Sequence, residues 1–257
     1  MRNKNCKISA LLITYNEINH IEAVINNISF ADEIIVVDSI STDGTLEKLS
    51  EFKHVTTIKR KFKNFADQRN FALQQATHDW VLFIDADERL TDKLKTEIIT
   101  TVNNPTDIAA FMVKRLYYFK KKRIRFSGFQ TDTTYRLFKR NKVKYIEDKI
   151  VHEMPKIDGK SGILKHNMLH YCFDSAAHYK TKMEHYASLK ALELFKKGKK
   201  ANVFHFIFRP FYKFVVNYVF RLGILDGKAG FQICYLSAYG VYYRYKELKK
   251  LNRSSKI

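Results

Sequence analysis

The chain contains 257 residues, of which 46% are hydrophobic and 14% aromatic, so it can bury a sizeable core as one domain or as one domain with an appendage. This composition excludes a disordered or collagen-like chain. The lysines and arginines exceed the acidic residues by 20, and this excess predicts an anionic partner: nucleic acid, a nucleotide or an acidic membrane surface.

The cysteines and the N-terminus predict a protein of the cytoplasm. Cys6, Cys172 and Cys234 lie far apart without a C-x-x-C spacing, which argues against a disulfide framework or a zinc knuckle and fits a reducing compartment. The basic start is followed by a short apolar run that predicts a first strand rather than a signal peptide. No uncharged stretch has the length of a membrane span.

The first hundred residues alternate between apolar runs, typical of buried parallel strands, and apolar residues at helical spacing. The predicted strands are Ile8–Thr14, Glu33–Ser39, Val55–Arg60 and Trp80–Asp87, with helices that start near Ile18, Thr45 and Phe65. This rhythm predicts a parallel sheet covered by helices on both faces. Ligands of such sheets bind at the carboxyl ends of the strands.

The pattern changes in the second half of the chain. Strand-like runs at Ile108–Phe119, Thr133–Arg140 and Gly162–Phe173 lack helices of comparable length between them, which predicts a mixed or antiparallel extension of the sheet. A long helix is predicted over Ser175–Gly198, and the residues from Asn202 onward are aromatic and basic. Gly198 and the lysines around it mark the predicted domain boundary.

Polar residues follow the ends of the predicted strands. They are Thr14, Tyr15 and Glu17 after the first strand, Asp38 at the end of the second, and Asp85 and Asp87 at the end of the fourth. Because these ends lie side by side in a parallel sheet, we expect the side chains to converge on one rim. Residues i and i+2 of an extended chain point the same way, so Asp85 and Asp87 are predicted to face a hard divalent cation, Mg²⁺ or Mn²⁺.

The segments "ITYNE", "VVDSISTDGT", "ADQRNFALQQATHDWVLFIDADE" and "TDTTYRLFKR" together resemble a family 2 glycosyltransferase of the lipopolysaccharide-core β-glucosyltransferase type. The resemblance covers about residues 8–171. It implies an α/β, Rossmann-like GT-A fold: a mixed sheet with flanking helices, followed here by a C-terminal amphipathic helical segment. The catalytic domain would span 1–198, with a nucleotide-binding half of about 1–105 and an acceptor half of about 106–198. Residues 199–257 would form a basic, aromatic membrane-association segment.

The resemblance also implies roles for individual residues. The implied set consists of Thr14 at the rim, Tyr15 and Glu17 beside the base, Asp38 on the base, Arg69 on the base or diphosphate, Asp85 on the ribose and Asp87 on the metal. The physical requirements agree with these roles, since a sugar nucleotide needs a platform for its base and a cation that stabilises the leaving diphosphate.

A general base must accept the proton of the acceptor hydroxyl. The family carries this base on an acidic residue ahead of an arginine, and "TDTTYRLF" offers Asp132 with Arg136 four residues later. Thr131 stands where many relatives carry a glutamate, so the match is partial. Downstream, "VHE" offers His152 as a further metal or phosphate ligand and Glu153 as an alternative base. The other interpretation of His152 is a strand-end histidine that is hydrogen-bonded locally.

The segment "FHFIFRPFYKFVVNYVFRLG" is amphipathic at helical spacing. Its apolar side consists of Phe204, Phe208, Phe211, Val215, Tyr218 and Leu222, and its polar side of Arg209, Lys213, Asn217 and Arg221. The pattern predicts a helix that lies in a membrane interface with its cations toward the lipid headgroups, started or kinked by Pro210. A membrane span is disfavoured, because each central Arg or Lys costs roughly 3 kcal/mol to insert. The alternative is a helix packed on the catalytic domain with its aromatic side buried.

The expected function is inverting transfer of a sugar from a nucleotide donor, a UDP-sugar, to a lipid-linked saccharide of lipopolysaccharide or another cell-envelope glycan. The enzyme would work on the anionic inner face of the cytoplasmic membrane. The alternative from another class is a non-catalytic nucleic-acid-binding protein that uses the interleaved basic and aromatic residues of "YFKKKRIRF". The acidic rim argues against that alternative, because it would repel phosphates, so nucleic acid is not an expected partner.

Overall fold

The computed structural model describes residues 6–146, 155–173 and 175–254, and within these ranges the chain forms eleven strands and seven α-helices. The strands are β1 (Ile8–Thr14), β2 (Glu33–Asp38), β3 (Val55–Lys59), β4 (Trp80–Phe83), β5 (Glu88–Leu90), β6 (Ile108–Phe119), β7 (Lys122–Ile124), β8 (Thr133–Lys139), β9 (Val143–Tyr145), β10 (Pro155–Ile157) and β11 (Lys160–Phe173). The helices are α1 (Ile18–Asn27), α2 (Thr45–Ser50), α3 (Phe65–Gln75), α4 (Asp92–Asn103), α5 (Ala176–Lys196), α6 (Val203–Val215) and α7 (Gly227–Ser254).

Nine of the described strands form one mixed sheet in the order β3-β2-β1-β4-β8-β6-β11-β5, with β7 paired to β6. The pairs among β1, β2, β3 and β4 are parallel, whereas β8 pairs antiparallel with both β4 and β6. The predicted change from a parallel sheet to a mixed extension is therefore confirmed. Strands β9 and β10 form a separate antiparallel pair.

Helices cover both faces of the parallel part of the sheet. Successive residues of β1 point to opposite faces: Leu12 packs in one cluster with Ile25 of α1, and Leu11 packs in another with Ala72 of α3. A strand that is buried on both faces must be apolar throughout, which explains the uninterrupted run "ISALLIT". The carboxyl ends of β1, β2 and β4 consequently meet at one edge.

The fourth strand is shorter than predicted, because β4 ends at Phe83 and the chain then turns. The amide of Glu88 donates to the carbonyl of Asp85, and the carboxylate of Glu88 accepts from the amide of Asp85, both at 3.0 Å. Glu88 thus closes a turn over the motif. The expectation that Asp85 and Asp87 extend from one strand in the same direction is wrong for this reason.

The chain forms two compact units. The first comprises Met1–Arg115 and Asp132–His170, and the second comprises Leu116–Thr131 and Tyr171–Ile257. Within the second unit, α5 and α7 pack together, so the predicted boundary at Gly198 lies inside this unit. The assignment of residues 1–198 and 199–257 to separate functions stays a prediction.

Helix α6 departs from its predicted form in two ways. It begins at Val203, where the Asn202 side chain accepts from an amide of the first turn, and Pro210 lies in its interior rather than at its start. Arg209 donates to the hydroxyl of Tyr245 at 2.7 Å, and Asn217 beyond the helix end is buried. Asn217 therefore does not face outward as predicted, whereas Arg209 stays exposed while it contacts Tyr245.

Phe204, Phe208 and Phe211 on the apolar side of α6 are exposed, rather than buried as in the alternative interpretation. Within the described ranges, no helix has the length and apolar character needed to cross a membrane. All three cysteines are free.

Candidate active site

Hydrogen bonds join the loops that follow β1 and β2. The buried carboxylate of Asp38 accepts from the hydroxyl of Thr14 at 2.9 Å and from the amide and hydroxyl of Ser41 at 2.7 and 2.6 Å. The amide of Glu17 donates to the hydroxyl of Thr45 at 2.9 Å. A buried carboxylate requires such partners. Asp38 therefore lies at the predicted rim and holds both loops in one conformation.

The loop after β1 leaves Tyr15 at the surface. Asn16 has a φ of 56°, donates from its amide to Ser41 and accepts from the amide of Thr42, both at 2.8 Å. Ile40 has a φ of 65°, a conformation that costs a non-glycine residue about 1–3 kcal/mol. The hydrogen bonds offset this strain, and the ring of Tyr15 stays 59% exposed on a fixed loop. Such a ring is suited to stack on a nucleotide base.

The two aspartates of the D-x-D motif have different partners. Asp85 accepts from Arg69 at 2.9 Å and also from Arg136. The Oδ2 atom of Asp87 lies 3.2 Å from Nε2 of His170. The first aspartate is therefore held by two cations, and the second lies beside a group that can bind a metal.

Buried charges of alternating sign lie next to Asp85. Arg136, only 4% exposed, also donates to the fully buried Glu88 at 2.6 Å, and Arg115 lies 3.7 Å from Glu88. Burial opposes the ionisation of Asp85, but Arg136 and Arg69 outweigh it and hold the pKa of Asp85 well below its ordinary range. Burial likewise opposes the charge of Arg136, and the two carboxylates outweigh it and raise the pKa of Arg136.

Arg69 reaches this cluster from α3. The helix is capped by Asn64, whose side chain accepts from the amide of Asp67. The guanidinium of Arg69 lies 5.3 Å from the ring centroid of Phe83 and 5.7 Å from that of Tyr145, within the range of cation–π attraction. These two rings fix the side chain that holds the first aspartate of the motif.

The predicted base Asp132 belongs to the same network. Nε of Arg115 donates to its carboxylate at 2.5 Å, and the amide of Arg115 donates to its carbonyl at 3.1 Å. The side chain of Asp132 is 30% exposed, so solvent reaches it. Through Arg115 and Glu88 the charges continue to Arg136 and Asp85. The structure thus links the acidic group proposed for the acceptor to the motif proposed for the donor.

Asp87 and His170 fit two neighbouring ligands of a divalent cation. A carboxylate oxygen and an imidazole nitrogen are suitable donors, and adjacent ligands of an octahedral ion at about 2.1 Å lie about 3 Å apart. In the part of the chain that the structure describes, no group of three or more His, Cys, Asp or Glu side chains is arranged to hold a metal. A cation at this pair would take its other ligands from water and phosphate, as Mg²⁺ commonly does.

Glu88, Arg115 and His170 lie at the candidate site although the sequence pattern did not predict them there. His170 comes close to the motif because β5 and β11 pair antiparallel with His170 opposite Glu88. The predicted ligand His152 and the alternative base Glu153 lie outside the described residues.

The comparison with protein families decides the class of the protein. The model of the family described as "Glycosyl transferase family 2" matches residues 9–161, more than half of the chain. This chain belongs to glycosyl transferase family 2. Membership makes it a glycosyltransferase and disfavours the alternative of a non-catalytic nucleic-acid-binding protein.

Relatives of this family 2 glycosyltransferase match nearly its whole length. An uncharacterized glycosyltransferase of Rickettsia felis is 30% identical over 97% of this chain and 92% of its own. The lipopolysaccharide core biosynthesis glycosyltransferase LpsC of Rhizobium meliloti is 26% identical over 93% of both chains. The solved mannosyltransferase PcManGT of Pyrobaculum calidifontis, in complex with GDP-Man and Mn²⁺, has a TM-score of 0.51 at 16% identity over 99% of this chain and 76% of its own. This last likeness concerns the fold alone, and it confirms the predicted GT-A fold.

Proposed function

We propose that this glycosyltransferase moves one sugar, with inversion, from a UDP-sugar to a lipid-linked saccharide of lipopolysaccharide core or another cell-envelope glycan. The observation that carries the proposal is that the two aspartates of the motif have different partners. Asp85 accepts hydrogen bonds from two arginines, and Asp87 lies beside His170. This arrangement supports one carboxylate for the nucleoside and one for a metal. The similarity to LpsC supports the class of acceptor.

In the proposal, the rim binds the nucleotide. Tyr15 and Glu17 flank the base, Asp38 binds the base with Thr14 beside it at the rim, and Asp85 accepts a hydrogen bond from the ribose. Arg69 holds the base or diphosphate. The hydrogen bonds among these loops form before the donor binds, so less conformational entropy is lost on binding.

Asp87 and His170 are the proposed ligands of Mg²⁺ or Mn²⁺. When bound, the cation stabilises the negative charge of the leaving diphosphate. The 3.2 Å separation of Asp87 Oδ2 and His170 Nε2 supports this role. His152 remains a further proposed ligand of the metal or of phosphate.

Asp132 is the proposed general base. It accepts the proton of the acceptor hydroxyl as that oxygen attacks the sugar from the side opposite the diphosphate, which inverts the anomeric centre. Arg115 orients its carboxylate through the 2.5 Å hydrogen bond. Glu153 is the alternative base.

We further propose that the enzyme works as a peripheral protein on the anionic inner face of the cytoplasmic membrane. A lipid-linked acceptor is confined to that plane, and a bound enzyme shares it. The net charge of +20 supports an anionic partner.

Turnover of a panel of sugar nucleotides with Mn²⁺ tests the proposal, with release of the nucleotide diphosphate as the readout. We expect a UDP-sugar to be hydrolysed slowly without acceptor, and Asp87→Ala to abolish this turnover without lowering the melting temperature. Asp92→Ala is the matched control, because Asp92 is fully solvated at the start of α4. Failure to cleave every sugar nucleotide, or near wild-type turnover in Asp87→Ala, would contradict the proposal.

A thermal-shift comparison addresses the anionic partner. At equal concentration, UDP with Mn²⁺ should raise the melting temperature more than an oligonucleotide does, because the ligand with the higher affinity for the folded state stabilises it more. A larger shift with the oligonucleotide would favour the nucleic-acid alternative.

A further inference from the structure

Helix α6 exposes a stripe of apolar side chains. Phe204, Ile207, Phe208, Phe211 and Tyr212 follow one another at spacings of three and four residues, and each is more than half exposed. A helix on the surface of a globular protein normally buries such a stripe against the core. Here the stripe is the side that the protein leaves uncovered. Apolar surface of this kind marks a site of interaction.

The apolar surface continues beyond the helix. The π-helical turn Val216–Phe220 and the 3₁₀ turn Gly223–Asp226 expose most of their apolar side chains, and Phe220 is 75% exposed. Phe231 of α7 lies 5.8 Å, between ring centroids, from both Phe214 and Tyr218 and joins these turns to α7. We call the exposed apolar residues of 204–212 and 219–225, with Phe231 and Tyr235, the apolar face.

The exposure of the apolar face is built into the fold. The carboxylate of Asp226 is buried and accepts from the amides of Arg125 and Phe126 at 2.9 and 3.0 Å and from the hydroxyl of Ser127 at 2.8 Å. The carbonyl of Arg221 accepts a further hydrogen bond from the amide of Ser127 at 3.2 Å. The turns are therefore fixed in one arrangement, and their apolar side chains point outward from an ordered backbone.

The charge of this region complements an anionic surface. Residues 199–257 carry twelve lysines and arginines against two acidic residues, which is half of the net charge of the whole chain. No acidic residue occurs between Glu193 and Asp226, and Asp226 itself is buried. Lys199, Lys200 and Lys228 lie close to the apolar face along the chain, Arg221 lies within its range, and all four are exposed. Aromatic and aliphatic side chains bordered by cations are typical of a segment that lies in a lipid interface.

We propose that the apolar face enters the boundary between headgroups and acyl chains of an anionic lipid bilayer, with α6 in the plane of the interface. This inference deepens the proposed function, whose lipid-linked acceptor lies in the same bilayer, and it names the residues in contact with lipid. The apolar side predicted from the sequence thus still faces the lipid, while Asn217 of the predicted polar side is buried in the protein. The occupant is lipid rather than protein, because the whole stretch combines apolar side chains with charge of a single sign.

Flotation of the full-length protein with vesicles tests the proposal without donor or acceptor. The vesicles contain equal parts of phosphatidylglycerol and phosphatidylcholine, or phosphatidylcholine alone. We expect strong binding to the first, at least about tenfold weaker binding to the second, and weakening at high salt. The variant Ile207→Ser/Phe211→Ser should bind at least about tenfold less tightly than the wild type, since it removes two buried contacts with lipid.

A matched control distinguishes lipid contact from a general loss of apolar surface. Ile163 of β11 is 61% exposed and Ile207 is 60% exposed, so Ile163→Ser should leave binding unchanged while Ile207→Ser lowers it. Both substitutions should leave the melting temperature at its wild-type value. Equal binding of the wild type and the double variant would overturn the proposal, as would absence of binding to anionic vesicles. A wild-type dimer that Ile207→Ser/Phe211→Ser converts to a monomer, without vesicle binding, would assign the face to a second copy of this chain. Loss of vesicle binding with intact UDP binding would leave the proposed glycosyl transfer standing.

Discussion

Arg136 is the residue on which the electrostatics of the candidate site depend most. It is buried and donates to both Asp85 and Glu88, so its removal leaves two carboxylates without their shared cation. We expect Arg136→Met to lower the free energy of unfolding by about 3–5 kcal/mol, the usual cost of breaking a buried ion pair from one side. Urea unfolding at pH 7 measures this change. The exposed Arg123→Met is the control, and a loss below about 1 kcal/mol in Arg136→Met would contradict the prediction.

The role of Asp132 as general base can be tested by substitution. Asp132→Asn should lower kcat by about a hundredfold or more, the usual contribution of a general base, with little change in the KM for the donor. Arg115→Gln should reproduce part of the kcat loss, because Arg115 orients the carboxylate. Steady-state kinetics with a transferable acceptor separate the two constants. An active Asp132→Asn together with an inactive Glu153→Gln would move the assignment to Glu153.

The residues that the sequence could reveal are those next to a strand end. Asp38, Asp85 and Asp87 follow apolar runs, and the rule for parallel sheets places them at one edge. Glu88 and His170 could not be paired in this way, since the register of two strands 82 residues apart is set by tertiary packing and leaves no local pattern. The contacts of Asp85 with Arg69 and Arg136 leave no local pattern either, because tertiary packing brings these residues together.

At the scale of elements, the close approach of α7 to the preceding turn gives a stability prediction. A Cβ at Gly230 would lie 2.0 Å from the carbonyl oxygen of Gly223, so Gly230→Ala must displace backbone. We expect a loss of about 1–3 kcal/mol or more in the free energy of unfolding, as for an overpacked core. The control in the same helix is Gly240→Ala, whose Cβ would meet the Met183 side chain at 3.3 Å. Equal melting temperatures for the two variants would contradict this reasoning.

Element boundaries followed from the sequence where the pattern was strictly local. The predicted limits of β1 and β6 agree with the structure, because both strands are rich in apolar residues and are bounded by polar residues. Helix α6 shows the limit of such patterns. Periodicity divides a helix into an apolar and a polar side, but it does not determine which side the rest of the protein covers. In the structure the apolar side is the exposed one, and Asn217 of the polar side is buried.

At the scale of the whole molecule, several carboxyl groups make stability depend on pH. The pKa values of Asp85, Asp67, Asp43, Glu33 and Glu193 are lowered in the folded protein, that of Glu193 to about 2 by hydrogen bonds from Lys190 and Lys197. A carboxyl group whose pKa is lower in the folded protein stabilises the fold fully when the pH is above its ordinary pKa, which is near 4. This contribution to stability is lost as the pH falls below that ordinary pKa. The midpoint of urea unfolding should therefore fall steadily from about pH 5 to pH 3. A midpoint that stays constant over this range would contradict the prediction.

The proposed mechanism requires that Asp87 and His170 hold the cation that binds the donor diphosphate. Isothermal titration of UDP into the protein, with Mn²⁺ and with EDTA, tests it most directly. We expect Mn²⁺ to tighten UDP binding at least about tenfold in the wild type and in Asp92→Ala, whereas Asp87→Ala and His170→Gln should bind UDP equally with and without Mn²⁺. If Asp87→Ala kept the full gain in affinity from Mn²⁺, the metal site would lie elsewhere and this pair would not be the ligands.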